Sequence, residues 1–343
     1  MTAWTDHLAQ QGARLDGAAL SFADAETETR ATADGTIAVP LLHLGVIRSV
    51  GPDSAAFLHN LVSNDVQKLG ADAAAWNSFN SPKGRMIASF LMWREAEGHA
   101  LALSADILPA VLKKLSMYVL RSKVKLADAS ADVALIGVAG TRAPAALKAA
   151  GLAVPADAMT LTTDAEGSRC IRIGDALFLV ATPAAAAPRV FDTLVAGGAT
   201  KVGTAAWQLA MIRAGLPLIT AATQEEFVAQ MLNYELIGGV SFQKGCYPGQ
   251  EIVARTQYLG KLKKRMYRMA IPAGASPSPG ADLFAPEFGE QSAGKVVNVA
   301  PAPGGGFEAL AVMQTSSVES GQIRLGAPDG APLTLLDLPY ALA

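Results

Sequence analysis

Val240-Ser241-Phe242-Gln243-Lys244-Gly245-Cys246-Tyr247-Pro248-Gly249-Gln250-Glu251-Ile252-Val253-Ala254-Arg255 is the stretch on which the reading of this chain turns. Gly245, Pro248 and Gly249 bracket Cys246 between two apolar runs. That composition makes a tight loop and can bring backbone N–H groups close to a ligand. Lys244 and Arg255 would favour the thiolate of Cys246 if they lay beside it in space. Gln250 and Glu251 add an amide and a carboxylate. Residue physics leaves a second reading open, a tight turn around an inert, half-buried Cys, because a free Cys is commonly just a small hydrophobe.

Outward from this loop, the chain has 343 residues, a length that suggests about two or three domains. Its 28 Lys+Arg face 30 Asp+Glu, a net charge of −2, which excludes a globally basic nucleic-acid coat and an acidic disordered tail. Apolar residues make up 51% and charged residues 17%, enough for several buried cores. No run of about 18 uncharged apolar residues appears, so no membrane partner is expected. Two cysteines, Cys170 and Cys246, cannot build a disulfide framework in a chain of this size, which fits a reducing, cytoplasmic setting. The first residues lack the basic and apolar regions of a signal peptide.

Local patterns alternate between helical and extended without a repeat. Gly51-Pro52-Asp53 opens a helix whose apolar face is Phe57, Leu58, Leu61 and Val62. Leu108, Val111, Leu112, Leu115, Tyr118 and Val119 give the clearest amphipathic helix. Thr204 to Ala214 reads as another, stopped by Gly215 and Pro217. Thr223 and Glu226 form a capping-box pattern ahead of Phe227, Val228, Met231 and Leu232 and predict a further helix. Strands are expected at 132–138, 170–173 and 176–182, the last two joined by a hairpin at Gly174-Asp175. Ile271 to Gly280, with three prolines, reads as a linker. The short apolar runs after it, separated by Gly/Pro clusters, predict a small all-β domain at the C-terminus.

Common catalytic motifs are missing: no GxxxxGK[ST], no strand-linked GxGxxG, no HExxH, no CxxC and no GxSxG. His7, His43, His59 and His99 are scattered, and their spacing predicts no metal site. Each is read as a structural or surface residue.

Lys244-Gly245-Cys246-Tyr247-x-Gly249-Gln250-Glu251, followed by Ala254-Arg255, resembles the signature of the YgfZ family of folate-binding proteins, relatives of the aminomethyltransferase (T-protein) of the glycine cleavage system. Phe57-Leu58-x-Asn60-Leu61-x-x-Asn64-Asp65-Val66 is similar to the early helix and turn shared with T-proteins. Ser81-Pro82-Lys83-Gly84-Arg85-Met86, Arg213-Ala214-Gly215-Leu216-Pro217 and Asn233-Tyr234-Glu235-Leu236 also match the family order.

The resemblance implies an α+β, three-domain T-protein-like cloverleaf around a central opening, ending in a small β-barrel. The expected domains are 1–46 plus 126–215, then 47–125 plus 216–270, then 271–343. It implies tetrahydrofolate or a derivative as cofactor. By the same resemblance, Cys246 is the functional thiol, and Lys244, Gly245, Tyr247, Gly249, Gln250, Glu251, Arg255, Arg213, Asn233, Glu235, Asn64 and Asp65 are candidate cofactor-binding residues. It implies an auxiliary role in assembly or repair of iron–sulfur clusters, with iron–sulfur enzymes or cluster-assembly proteins as partners, tRNA-modifying enzymes among them.

The sequence also departs from the T-protein pattern. T-proteins carry an acidic pair after the turn matching Gly84, and here the stretch reads Met86-Ile87-Ala88-Ser89-Phe90-Leu91. Neither Ala88 nor Ser89 can hold a charge against a developing cation, so aminomethyl transfer is not expected. The T-protein segment that clasps the pterin keeps little more than Gly174 and Asp175 in Ile171–Phe178. A pterin's 2-amino-4-oxo edge calls for an acceptor, ideally a carboxylate. Glu235 is the substitute candidate, its other reading being a helix-terminal or surface charge.

Seven basic residues stand between Lys244 and Arg268 (Lys244, Arg255, Lys261, Lys263, Lys264, Arg265, Arg268) against Glu251 alone. They read as a solvated face, as a site for a folate polyglutamate tail, or as a weak, salt-sensitive contact to tRNA. A one-carbon transferase and a tRNA-binding module are the competing functions.

Overall fold

The computed structural model describes residues 2–258 and 262–342. Lys261, from the basic stretch, lies outside them. The chain divides into two compact units. One comprises Met1–Ala55, Lys68–Ala75 and Leu91–Ala210, the other Ala56–Gln67, Trp76–Phe90 and Met211–Ala343.

In the first unit a six-stranded sheet runs in the order Leu161–Thr163, Arg169–Gly174, Leu177–Pro183, Val133–Ala139, Ile37–Pro40, Thr200–Lys201. All neighbours are antiparallel except the last pair. Val133–Ala139 is buried along its whole length. Helices Ala3–Gln10, Ala143–Ala149 and Ala187–Ala196 supply Trp4, Leu8, Leu147, Val190, Phe191 and Leu194 to a core with Ile136, Val138, Phe178 and Val180. The hairpin at Gly174-Asp175 forms as the alternation foretells.

A five-stranded sheet runs Ala74–Asn80, Met86–Glu95, Gly98–Ser104, Leu44–Val50, Lys125–Asp128. Helix Leu108–Ser116 lays Leu108, Val111 and Leu115 inward. It follows the expected period but ends at Ser116, with Tyr118 and Val119 in the turns beyond it.

In the second unit six strands close a barrel: Lys264–Ile271, Phe307–Gln314, Gly294–Pro301, Asp282–Phe284, Ile323–Leu325, Ala331–Leu336, the last pairing back to the first. Met269, Leu283, Val296, Ala309, Ala311, Met313 and Leu333 fill it. The segment 271–280 is therefore not a linker ahead of the barrel. It joins two strands within the barrel, Lys264–Ile271 and Asp282–Phe284, because Lys264–Ile271 finds partners on both edges.

The capping-box helix after Thr223 does not form either. Only a short 3-10 turn, Ala229–Leu232, is present. Glu225 N–H donates to the Met86 carbonyl and Met86 N–H to the Phe227 carbonyl, while Arg85 bridges to Val228. Glu225 takes a φ of 59° to allow this. The Glu226 side chain, which a capping box would turn back on its own helix, reaches Lys295 at 3.0 Å. Strand-like pairing to 85–86 overrides the local helix signal.

Among described residues no helix is long and apolar enough to cross a membrane. Within the second unit Glu308, only 7% exposed, takes Arg213 at 2.8 Å and Arg268 at 2.9 Å. Removing its charge leaves two guanidinium groups without their shared acceptor. Glu308→Gln is expected to lower stability by about 1–3 kcal/mol, read by urea denaturation, and a loss below about 0.5 kcal/mol would show the pair to be idle.

Candidate functional site

The Cys246 loop lies wholly in the second unit and is fixed at several points. Ser63 donates from Oγ to the Gly239 carbonyl at 2.6 Å, and Ser241 N–H donates to the Ser63 carbonyl at 3.0 Å. Asn64 donates from Nδ2 to the carbonyls of Trp76, at 3.1 Å, and Gly238, at 2.6 Å, and its own Oδ1 accepts the Asp65 N–H. Asn64 thus anchors the start of the loop.

Lys244 is 7% exposed and its ammonium points inward. It donates to the carbonyls of His59 and Val62, past the C-terminus of helix Ser54–His59, and lies 4.8 Å from the Tyr247 ring centroid. Carbonyls left over at a helix end are natural acceptors for a lysine. Burial lowers the Lys244 pKa to about 8, with the Asp65 charge opposing the shift. Tyr247 is buried as well, and its phenol is pushed up to about 12 by desolvation.

Two turns of the sequence motif pack backbone on backbone. Gly249 has φ 78°, and a Cβ there would sit 2.5 Å from the Ser81 carbonyl and 2.6 Å from Gly84 Cα. Gly84 has φ 70°, and its Cβ would stand 2.9 Å from Ile252. The close approach and the left-handed backbone both demand glycine. Helix Gln250–Tyr258 starts directly after Gly249 and is pinned by Gln230, which donates to the Val253 carbonyl at 2.6 Å. Between these anchors Gly245 and Cys246 stand exposed, as do Glu251 and Arg255 on the helix, while Gln250 is half-buried.

Sequence reading passed over His59. Its Nδ1 lies 3.2 Å from Asp65 Oδ1, and its Nε2 faces Gly245, 3.8 Å from where a Cβ would stand. Desolvation first, then the Lys244 charge, hold its imidazole below the ordinary value, against the pull of Asp65. It sits inside the Phe57–Val66 motif at a position the motif leaves free, so no sequence signal marked it.

A second group forms around residues 233–235. Asn233 takes a left-handed φ of 55° and donates from Nδ2 to the Met266 carbonyl at 2.8 Å. Tyr234 is buried and its hydroxyl donates to the Asn77 carbonyl at 3.2 Å. The Glu235 side chain is 9% exposed and is held by Arg265 at 2.5 Å through Oε1. Its Oε2 has no hydrogen-bond partner among the described residues, nor has the Asn80 amide or the Ser81 hydroxyl. Glu235 is thus a buried carboxylate rather than a surface charge. Arg213 meets Glu308 instead of this group. Ala88 and Ser89 are both buried, and Ser89 Oγ accepts the Ile219 N–H at 2.8 Å.

Cys170 is fully buried in strand Arg169–Gly174, and desolvation pushes its thiol up to about 12. Iodoacetamide should therefore label Cys246 well before Cys170 in the folded protein, as resolved by peptide mass mapping. Equal rates would mean that Cys246 is shielded.

Lys244 gives a pH test. Its folded value, about 8, lies below its unfolded value near 10.5, so burying the cation costs stability below pH 8. That cost is relieved as pH rises through about 8 toward 10.5. The stability of the protein relative to Lys244→Met should rise over this window, and a flat or falling difference would contradict the buried cation.

Residues 11–237 match the GCVT N-terminal domain family. The protein named tRNA-modifying protein YgfZ from Enterobacter sp. (strain 638) is 32% identical over 295 residues, 85% of this chain and 89% of that protein. Its namesake from Cronobacter sakazakii is 31% identical over 297 residues, with 85% and 89% covered. The glycine cleavage system aminomethyltransferase T from Bartonella henselae superposes with a TM-score of 0.76 at 17% identity, over 99% of this chain and 98% of that one, a likeness of fold. With the Lys244–Glu251 loop in place, these matches set the assignment: the chain belongs to the YgfZ family, built on the GCVT domain.

Proposed function

We propose that this chain is a folate-binding auxiliary protein that supports the assembly or repair of iron–sulfur clusters in enzymes, among them enzymes that modify tRNA. The observation that carries the reading is an exposed thiol, Cys246, on a loop locked by Lys244, Gly84 and Gly249. A flexible loop would not need such anchoring, and a merely structural Cys would not be left in solvent. The curated relatives' name supports the link to tRNA modification. One Cys cannot hold a cluster alone, so Cys246 would contact a cluster or thiol presented by a partner.

The residues fit a folate. Glu235 offers a buried carboxylate oxygen in want of a donor, and a pterin's amino edge supplies one. Arg265 orients that carboxylate through its other oxygen. Asn80 has both ends of its amide free for a polar partner. When bound, the folate would bring a one-carbon carrier to the unit. Lys244 and Arg213 would act indirectly, the first by holding the loop, the second through Glu308.

The aminomethyltransferase fold favours a second reading, a one-carbon transferase. Against it, Ala88 and Ser89 are buried and uncharged where T-proteins carry acid. Given aminomethyl-lipoyl protein and tetrahydrofolate, the chain should release no ammonia above background, and steady turnover would install the transferase reading instead.

Tetrahydrofolate at about 100-fold over its Kd should stabilise the protein by about 2.7 kcal/mol, seen as a rise in Tm, and Glu235→Gln should shrink that rise. No shift at saturating ligand would remove the folate site. In a bacterial cell lacking its own relative, Cys246→Ser should fold normally yet fail to restore the iron–sulfur-dependent tRNA modifications. Full complementation by that variant would reduce Cys246 to a surface residue.

A further inference from the structure

The strongest unassigned feature lies in the first unit, between Ile107 and Ala127. This span holds Lys113, Lys114, Arg121, Lys123 and Lys125 and no acidic residue, in a chain whose net charge is −2. Helix Leu108–Ser116 buries Leu108, Val111 and Leu115, which turns Lys113 outward. The chain then passes through tight turns, with Tyr118 N–H donating to the Leu115 carbonyl and Ser122 N–H to the Val119 carbonyl. Leu120 holds a left-handed φ of 44° and is 89% exposed. Met117 is 71% and Tyr118 40% exposed. Arg121, Lys123 and Lys125 follow, all exposed, the last opening the edge strand Lys125–Asp128.

Tyr118, Leu120, Arg121 and Ser122 line a shallow hollow with Asp53. The one carboxylate there is occupied, since Asp53 Oδ2 accepts the Lys123 N–H at 2.6 Å. None of Lys113, Arg121, Lys123 and Lys125 pairs with a carboxylate among the described residues. A left-handed non-glycine residue that presents a large side chain to solvent is a costly arrangement, of the kind found at functional surfaces. Unopposed cations beside an exposed aromatic and an arginine are the chemistry that holds a phosphate backbone and stacks an unpaired base.

The stretch 244–268 serves this purpose poorly. Lys244 is buried, Arg265 is paired with Glu235, and Arg268 with Glu308. Its exposed cations among the described residues are Arg255 and Lys263.

We propose that the segment Lys113–Lys125 is an RNA-docking surface, with Lys113, Arg121, Lys123 and Lys125 on phosphates of a tRNA and Tyr118 against a base of an unpaired loop. The proposal rests on the tRNA-linked reading above and adds where the RNA is held.

The test is fluorescence anisotropy with labelled bulk bacterial tRNA, between about 50 and 200 mM salt. With up to four phosphate contacts, log Kd plotted against log salt should have a slope of about 3. Arg121→Glu combined with Lys123→Glu should weaken binding at least about tenfold and make the slope shallower by about 2. Tyr118→Ala should weaken it several-fold with the slope unchanged. Arg255→Glu with Lys263→Glu should stay within about twofold of the parent. Unchanged melting curves would confirm that these surface variants are folded.

The proposal fails if tRNA does not bind at low salt, or if Arg121→Glu/Lys123→Glu binds like the parent. It also fails if the Arg255/Lys263 variant loses as much, or if polyglutamate of equal charge competes as well as tRNA, which would point to an acidic protein. A cellular assay separates this failure from failure of the broader function. If Arg121→Glu/Lys123→Glu restores tRNA modification in full while Cys246→Ser does not, the docking surface is overturned and the role of Cys246 stands.

Discussion

The Lys244 ammonium reaches back from the Cys246 loop to the carbonyls of His59 and Val62. The first belongs to the last residue of a six-residue helix and has no helical partner of its own, and the second lies three residues beyond that helix. A cation there satisfies them and meets the negative end of the helix dipole. The cost is desolvation, visible in the fall of the Lys244 pKa to about 8. Tyr247 and Asp65 share in offsetting it, one through its ring face and the other through its charge. Once Lys244 and Tyr247 point inward, Gly245 and Cys246 between them are left at the surface.

The glycines complete the constraint. Gly249 lies on Ser81 and Gly84 with no room for a Cβ, so the Cys loop and the 81–84 turn are mutually exclusive with any larger residue. This joins two motifs that stand far apart in the chain. It also places the buried Asn80 and Ser81, with their unsatisfied polar atoms, immediately before the turn that carries the loop. Rigid backbone under an exposed thiol, with buried polar groups in want of partners in the same unit, suits the binding role proposed above.

Charge in this protein is divided by use. Arg213, Arg265 and Arg268 are drawn into pairs with Glu308 and Glu235 and serve the barrel and its surroundings. Lys113, Arg121, Lys123 and Lys125 meet no such acids among the described residues and remain in solvent. Counting basic residues along the sequence ranks the 244–268 stretch first, whereas among the described residues three-dimensional pairing leaves more exposed, unpaired cations in the other.

The sequence by itself determined the family, the mixed α and β character, the strands expected at 132–138, 170–173 and 176–182, and the β-rich C-terminus. Period and turn chemistry are local, and glycines required by close backbone contact cannot drift, so the Lys244–Glu251 motif stayed legible. Only the tertiary structure decided which charges are spent and which are free, because ion pairs such as Arg213–Glu308 join residues 95 apart. It alone turned Lys244 toward a helix end, set His59 beside Asp65 and Gly245, and replaced the capping-box helix with pairing to Met86. It also drew the proline-rich segment into the barrel, since the partners of Lys264–Ile271 lie some forty and seventy residues further along the chain. Long-range contacts of this kind carry no local pattern, and they are where the candidate site is made.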